Sequence, residues 1–255
     1  FDLIRDLVDF ASQEEKKWSK RYQFFATTNG TLLNERRKEW LYEHREKFAL
    51  GLSLDGTKKA HDHNRSNSYD HVVRHIPFFK ETWPLQPVKM TIGPDVIDQI
   101  CEGILNIYAF GLVCSSNVVL EDVWGSPEKK AEALAMFEDQ LECLVQYFSD
   151  HVELAPPTLI DLPIQLFVSE KDRHRPWCGA GRTMTAIDLD GRELPCHRFT
   201  STSLIRTLEP ESVTAAPRAS FPCRDCPFFL ACPTCEAHNW EINGHPRHRT
   251  AFHCE

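Results

Sequence analysis

The stretch Phe48-Ala-Leu-Gly-Leu-Ser-Leu-Asp55-Gly56 decides the fold. Phe48 to Leu54 is a short apolar run that stops at an Asp-Gly turn signal, which predicts a strand and not a helix. Working outward, Phe24-Phe-Ala-Thr27 is a similar run followed by Thr28-Asn29-Gly30, and Val88-Lys-Met-Thr-Ile92 is another, followed by Gly93-Pro94-Asp95. Leu112 to Leu120 gives a fourth strand. Helical patterns separate them. Asn34 caps a polar-rich helix through about Lys47, and His61 to Ser68 is expected to be loop. Tyr69 to Lys80 is helical in period, with Pro77 expected to kink or shorten it. Val96, Ile97, Ile100, Ile104 and Ile107 form an apolar stripe ended by Gly111. Successive strand-then-helix units call for parallel strands joined by right-handed crossovers. The predicted fold class is therefore α/β, half or more of an α/β barrel or a doubly wound sheet.

In such folds ligands sit at the C-terminal ends of the strands. That rule gathers Thr28, Asn29, Ser53, Asp55, Thr91, Ser116 and Asn117 on one rim. Ser126-Pro127 opens a further helix through Leu134, Phe137, Leu141, Leu144, Val145 and Phe148 to about Asp150, and Pro156-Pro157 closes it. At the other end, Phe1, Leu3, Ile4, Leu7, Val8, Phe10 and Ala11 already follow a helical period with no N-cap in front. The chain is expected to enter in mid-element, with native residues preceding Phe1.

A composition shift near Trp177 introduces a different kind of segment. Seven of the ten cysteines lie from Cys178 onward: Cys178, Cys196, Cys223, Cys226, Cys232, Cys235 and Cys254. Two residues between paired cysteines let both sulfurs point into one site from a single turn, so the tail reads as a reduced ligand set for a soft or borderline metal, zinc or an iron–sulfur cluster. Cys101, Cys114 and Cys143 fall on apolar helix or strand positions and are expected in the core. His61 and His63 form an HxH without a partner and are expected at the surface.

The formal charge of −8 and the lack of a strong basic cluster argue against a nucleic-acid partner. The sequence has neither an apolar run of membrane-spanning length nor a secretory signal. A cytoplasmic protein with no membrane partner is the expectation.

The order Cys178, Gly191, Cys196, Cys223-x2-Cys226-x5-Cys232-x2-Cys235, Cys254 resembles the SPASM domain of radical S-adenosylmethionine (SAM) enzymes. The family commonly has three residues where this chain has two, between Cys232 and Cys235. Phe24–Leu33 (FFATTNGTLL), Gly51–Gly56 (GLSLDG) with His61-Asp62 and Arg65, and Val88–Pro94 (VKMTIGP) resemble strands three, four and five of the same family's partial barrel. The family's CxxxCxxC loop and Gly-Gly-Glu segment are absent from this sequence, in agreement with an incomplete N-terminus.

The resemblance implies a partial (β/α)6 radical SAM barrel over 1–150 holding strands three to six, a linker over 151–177 and a SPASM domain over 178–255. It implies SAM and [4Fe–4S] clusters as cofactors, two auxiliary and one SAM-cleaving cluster upstream, and a peptide or protein substrate. A flavodoxin or ferredoxin would donate electrons, and a 5′-deoxyadenosyl radical would remove a substrate hydrogen. Asn29, Ser53 and Arg65 are then the candidates for holding SAM, Arg65 because a guanidinium suits the methionyl carboxylate. Family topology gives Cys178, Cys196 and Cys235 to one auxiliary cluster, and Cys223, Cys226, Cys232 and Cys254 to the other. His197, in place of the Asp that follows the matching cysteine in sulfatase-maturating enzymes, looks more like maturases that form sulfur-to-carbon thioethers, and is the candidate base or peptide-holding residue. Formylglycine formation is the neighbouring enzymatic reading. A non-catalytic peptide-binding protein structured by zinc or clusters is the reading from another class.

Overall fold

The computed structural model describes residues 1–121, 123–161, 178–200, 223, 226, 232, 234–246 and 248–249. Residues 162–177 of the expected linker and Cys254 lie outside the described residues. The chain divides into two compact units, one of Phe1–Val119 with Val123–Asp161, the other of Leu120–Asp122 with Leu162–Glu255.

In the first unit, helix α1 (Asp2–Trp18) leads to strand β1 (Phe24–Thr28), α2 (Glu35–Glu43) and β2 (Phe48–Leu52). Three short helices follow, α3 (Lys58–Asn64), α4 (Tyr69–Val73) and α5 (Ile76–Thr82), then β3 (Val88–Ile92). A 3₁₀ turn (Pro94–Gln99) runs into α6 (Ile100–Ala109), β4 (Cys114–Val118) and the long α7 (Pro127–Asp150). β1 pairs parallel with β2, Phe24 opposite Phe48, and β3 pairs parallel with β4, Val88 opposite Cys114. A parallel bridge between Ser53 and Lys89 joins β2 to β3, so the four strands lie side by side in chain order. The expected α/β class is what the chain adopts.

The core follows the strand and helix periods. Leu50 and Leu52 from β2, Val88, Met90 and Ile92 from β3, and Ile100, Ile104 and Ile107 from α6 are buried. Each such side chain contributes roughly 1.5–3 kcal/mol by leaving water. β1 differs: Phe25 and Thr27 are exposed, and Phe25 retains 52 % of its surface. α1 likewise buries only Val8 and Ala11 of its apolar stripe, while Leu3, Leu7 and Phe10 stay exposed.

Several local expectations change. α2 ends at Glu43, four residues before Lys47, because His44 closes a turn in which its carbonyl accepts the N–H of Lys47 and of Phe48. The segment from His61 is not loop at its start, since Thr57 caps α3 by accepting the Ala60 N–H at 3.1 Å. Pro77 does not kink one helix but sits in the first turn of a second, α5, where its missing N–H is harmless. Cys143 is exposed, not core; it lies on α7 opposite Cys101 of α6, and the two form a disulfide. Cys101 and Cys114 are buried as expected.

The second unit contains a hairpin of β5 (Ala186–Ile187) and β6 (Glu193–Leu194), a 3₁₀ turn (His197–Phe199) and α8 (Glu236–Asn243). Asp188 closes the hairpin by accepting the N–H groups of Asp190 and Arg192, both at 2.9 Å. Gly191 takes φ +80°, so the glycine of the Cys178–Gly191–Cys196 pattern supplies the left-handed residue of this turn. Ala180, Cys196, Phe199 and Ala237 form the core of the unit, with Leu194, Cys235 and Trp240 packed on it. No helix among the described residues is long and apolar enough to cross a membrane.

Candidate functional site

The parallel registers bring the C-terminal ends of the strands level, and the rim residues come with them. Thr28 stands opposite Leu52, and the Ser53 N–H donates back to the Thr28 carbonyl at 2.9 Å. The next N–H, of Leu54, donates the other way, to Lys89 on β3 at 2.9 Å. The backbone therefore divides its hydrogen bonds between two neighbours at Ser53–Leu54, and the strand tips part there.

Asp55 fills the gap that follows. Its carboxylate, 1 % exposed, accepts the Thr91 N–H at 3.0 Å, a position a neighbouring strand would otherwise occupy. It also accepts Arg65 Nε at 2.7 Å and Nη2 at 3.0 Å, a bidentate pair, and the Asn64 side-chain amide at 3.2 Å. Sequence reading placed Asp55 on the rim as a turn residue and did not single it out. An Asp-Gly pair reads alike whether the carboxylate faces water or a buried arginine.

His61 was expected at the surface and is fully buried. Its Nδ1 accepts the Asp55 N–H at 3.1 Å, and its Nε2 lies 3.1 Å from Ser68 Oγ. Because that hydroxyl donates to the Arg65 carbonyl at 2.7 Å, the ring must donate from Nε2, which fixes a neutral tautomer. Burial pushes its pKa down, in keeping with that form. His63 is exposed, as expected, 3.4 Å from Asp95. Behind the turn, Gly56 takes φ +72° and lies so close to α6 that a Cβ there would meet Gly103 Cα at 2.6 Å. Asn106 holds the Gly56 carbonyl at 3.0 Å.

The three residues singled out for SAM thus meet at adjoining tips. Asn29 is exposed, with its Oδ1 accepting from Thr31 N and Oγ1. Ser53 is buried to 7 % exposure beside it, and Arg65 is tied to the end of the same strand through Asp55. The side-on pairing occupies Nε and one Nη2 hydrogen, leaving the Nη1–Nη2 edge of the guanidinium for another anion. A separate cavity of about 240 Å³, lined by Phe1, Ala26, Leu33, Leu41 and Leu50 among others, includes none of the three.

In the second unit Cys196 and Cys235 pack in one core, and Cys178 is exposed. Burial first, then the nearby Cys235 and Cys178 thiols, push the Cys196 pKa up, against the lowering effect of the Arg198 and Phe199 N–H groups. Those three sulfurs are thus electrostatic neighbours although distant in sequence. Cys235 is the N-cap of α8, at the end of the helix where the macrodipole favours negative charge. Cys178, Cys196, Cys226 and Cys235 are outside disulfides. Cys223 is buried, and Cys226 and Cys232 are half-buried. Among the described residues no three His, Cys, Asp or Glu side chains converge as a metal-binding group. By donor chemistry alone, cysteine thiols are of the kind that ligates a soft metal or an iron–sulfur cluster.

His197 is exposed in its 3₁₀ turn, directly after Cys196. The residue beyond it, Arg198, was missed by sequence reading. It is half-buried, donates to Glu121 and lies 3.7 Å from Glu241.

No family model matches the sequence, and no curated protein matches it by sequence. Similar solved structures exist. Histidine-tagged anSMEcpe with bound AdoMet, an anaerobic sulfatase-maturating enzyme, aligns with a TM-score of 0.74 at 15 % identity over 100 % of this chain and 72 % of its own. Native anSMEcpe with bound AdoMet and Cp18Cys peptide gives 0.69 at 16 % identity, over 100 % and 76 %. The radical SAM protein SuiB of Streptococcus suis bound to S-adenosylmethionine gives 0.57 at 17 % identity, over 91 % and 58 %. At these identities the likeness is one of fold.

Proposed function

We propose that the chain is part of a radical SAM enzyme with a SPASM domain that modifies a peptide or protein, with thioether formation between a cysteine sulfur and a carbon as its reaction. The observation that carries this reading is the packing of Cys196 and Cys235 in one core, in a chain whose α/β fold is shared with AdoMet-bound structures. The four parallel strands are read as strands three to six of a partial barrel, residues 1–150, and residues 178–255 as the cluster domain, with 151–177 between them.

Bound iron–sulfur clusters and SAM supply one-electron chemistry for hydrogen abstraction. The residues of this chain bind and orient. Arg65, held by Asp55, offers its outer edge to the SAM carboxylate, while the Asn29 amide and Ser53 hydroxyl offer hydrogen bonds at the neighbouring tip. Cys178, Cys196 and Cys235 hold one auxiliary cluster, and Cys223, Cys226, Cys232 and Cys254 a second. The exposed His197 takes a proton from the peptide or holds it. A flavodoxin or ferredoxin donates the electrons.

The test uses the complete gene product, made anaerobically and supplied with its peptide. A product lighter by two hydrogens, with one thiol newly unreactive, supports thioether formation. A hydrazide-reactive aldehyde instead assigns formylglycine chemistry. Colourless protein holding zinc and no acid-labile sulfide overturns the radical reading.

A further inference from the structure

We infer that Asp55 is the positioning residue of the SAM site, fixing the Arg65 guanidinium so that only its outer edge is available to a ligand carboxylate. The inference rests on the function proposed above and adds a specific division of labour. An arginine in a polar segment after a helix has several rotatable bonds, and a flexible cation recognises a carboxylate poorly because it must be ordered on binding. Here that ordering is already done. Asp55 is 1 % exposed, whereas the Arg65 side chain keeps 25 % of its surface, so the pair has one buried partner and one that reaches the outside.

The geometry also selects which edge is presented. Nε and Nη2 are both within 3.0 Å of Asp55, and this side-on fork turns the Nη1–Nη2 edge away from the carboxylate that holds it. Asp55 is itself held against rotation by the Thr91 N–H at 3.0 Å and the Asn64 amide at 3.2 Å. Its own N–H is bound by His61 at 3.1 Å. The carboxylate is thus fixed to β3 on one side and to the end of α3 on the other. A ligand carboxylate at the outer edge would complete a carboxylate–guanidinium–carboxylate stack, with Asp55 never touching the ligand.

The experiment compares equilibrium binding of SAM and of decarboxylated SAM to the complete cluster-loaded protein. The wild type is expected to prefer SAM by at least about tenfold, the scale of one charge-assisted hydrogen bond. Asp55→Asn keeps the size of the side chain but not the fork, and is expected to reduce that preference to within about threefold while affinity for decarboxylated SAM is retained. Arg65→Lys is expected to do the same, and Asp55→Asn added to Arg65→Lys to change the preference no further. Equal weakening of both ligands by Asp55→Asn means a merely structural role and overturns the inference, as does an unchanged preference. If Asp55→Asn does not fold, an intact preference in Arg65→Lys overturns it. Wild-type protein that binds neither ligand overturns the proposed function itself, a result distinct from binding without preference.

Discussion

His75 shows how far a single residue's setting can depart from its sequence appearance. It directly follows the charged Arg74, yet it is only 4 % exposed, and neither ring nitrogen has a hydrogen-bond partner among the described residues. Burial, reinforced by Lys38, Arg74 and His71 and opposed by Glu35, pushes its pKa down from 6.5 to about 4. The unfolded chain then takes up a proton before the folded one, so stability present above about pH 6.5 is lost as the pH falls toward 4, by up to about 3 kcal/mol. Urea titrations across that window should show an acid decline that is shallower in His75→Leu. Cys114 makes the opposite case. Burial, with Asp55 nearby, pushes its thiol up to about 12, and it remains protonated in the core. The burial of Cys114 was legible from its apolar strand position, whereas that of His75 was not, because it depends on neighbours from other elements.

At the scale of elements, the strands were legible and their surroundings less so. Phe48–Leu54 and Val88–Ile92 are apolar runs bounded by turn residues, and both became strands because such runs pair wherever a sheet is available. α3 escaped notice because Lys58-Lys-Ala-His-Asp-His-Asn64 has no apolar period. Its Thr57 cap and the burial of Ala60 and His61 against other elements stabilise it instead. The two ends of α2 show the same contrast. Asn34 caps it as predicted by accepting the Arg37 N–H at 3.0 Å, and Asn34→Ala should lower stability by about 1 kcal/mol in urea unfolding. The Asp55–Gly56 turn wedges against α6, where Gly56 combines a left-handed φ with backbone contact to Gly103. Gly56→Ala should therefore cost about 2–4 kcal/mol. Gly103→Ala should cost less, since its Cβ would meet Gly56 Cα at 3.1 Å and the flexible Met90 tip at 3.2 Å without a positive φ.

For the molecule as a whole, the cysteine pattern reads from the sequence as a candidate ligand set, because sulfur donors at short spacings suit a metal site. The Cys101–Cys143 link was not legible, since only the packing of α6 beside α7 brings those two together. The distinction predicts different metal contents. On the function proposed above, complete, anaerobically prepared protein would hold about twelve irons in three clusters; Cys196→Ser should then remove about four, whereas Cys114→Ala should remove none per folded chain, as measured by iron and sulfide analysis. The sheet carries its own consequence. β1–β2 and β3–β4 are each laddered along five residues, but among the described residues β2 and β3 meet at the Ser53–Lys89 bridge, the Leu54–Lys89 hydrogen bond and the Asp55 carboxylate. Continuity across that seam thus depends in part on a side chain. The Thr91 amide becomes its natural reporter: in Asp55→Asn its hydrogen should exchange with solvent deuterium faster, while the amides of the two ladders keep their wild-type rates.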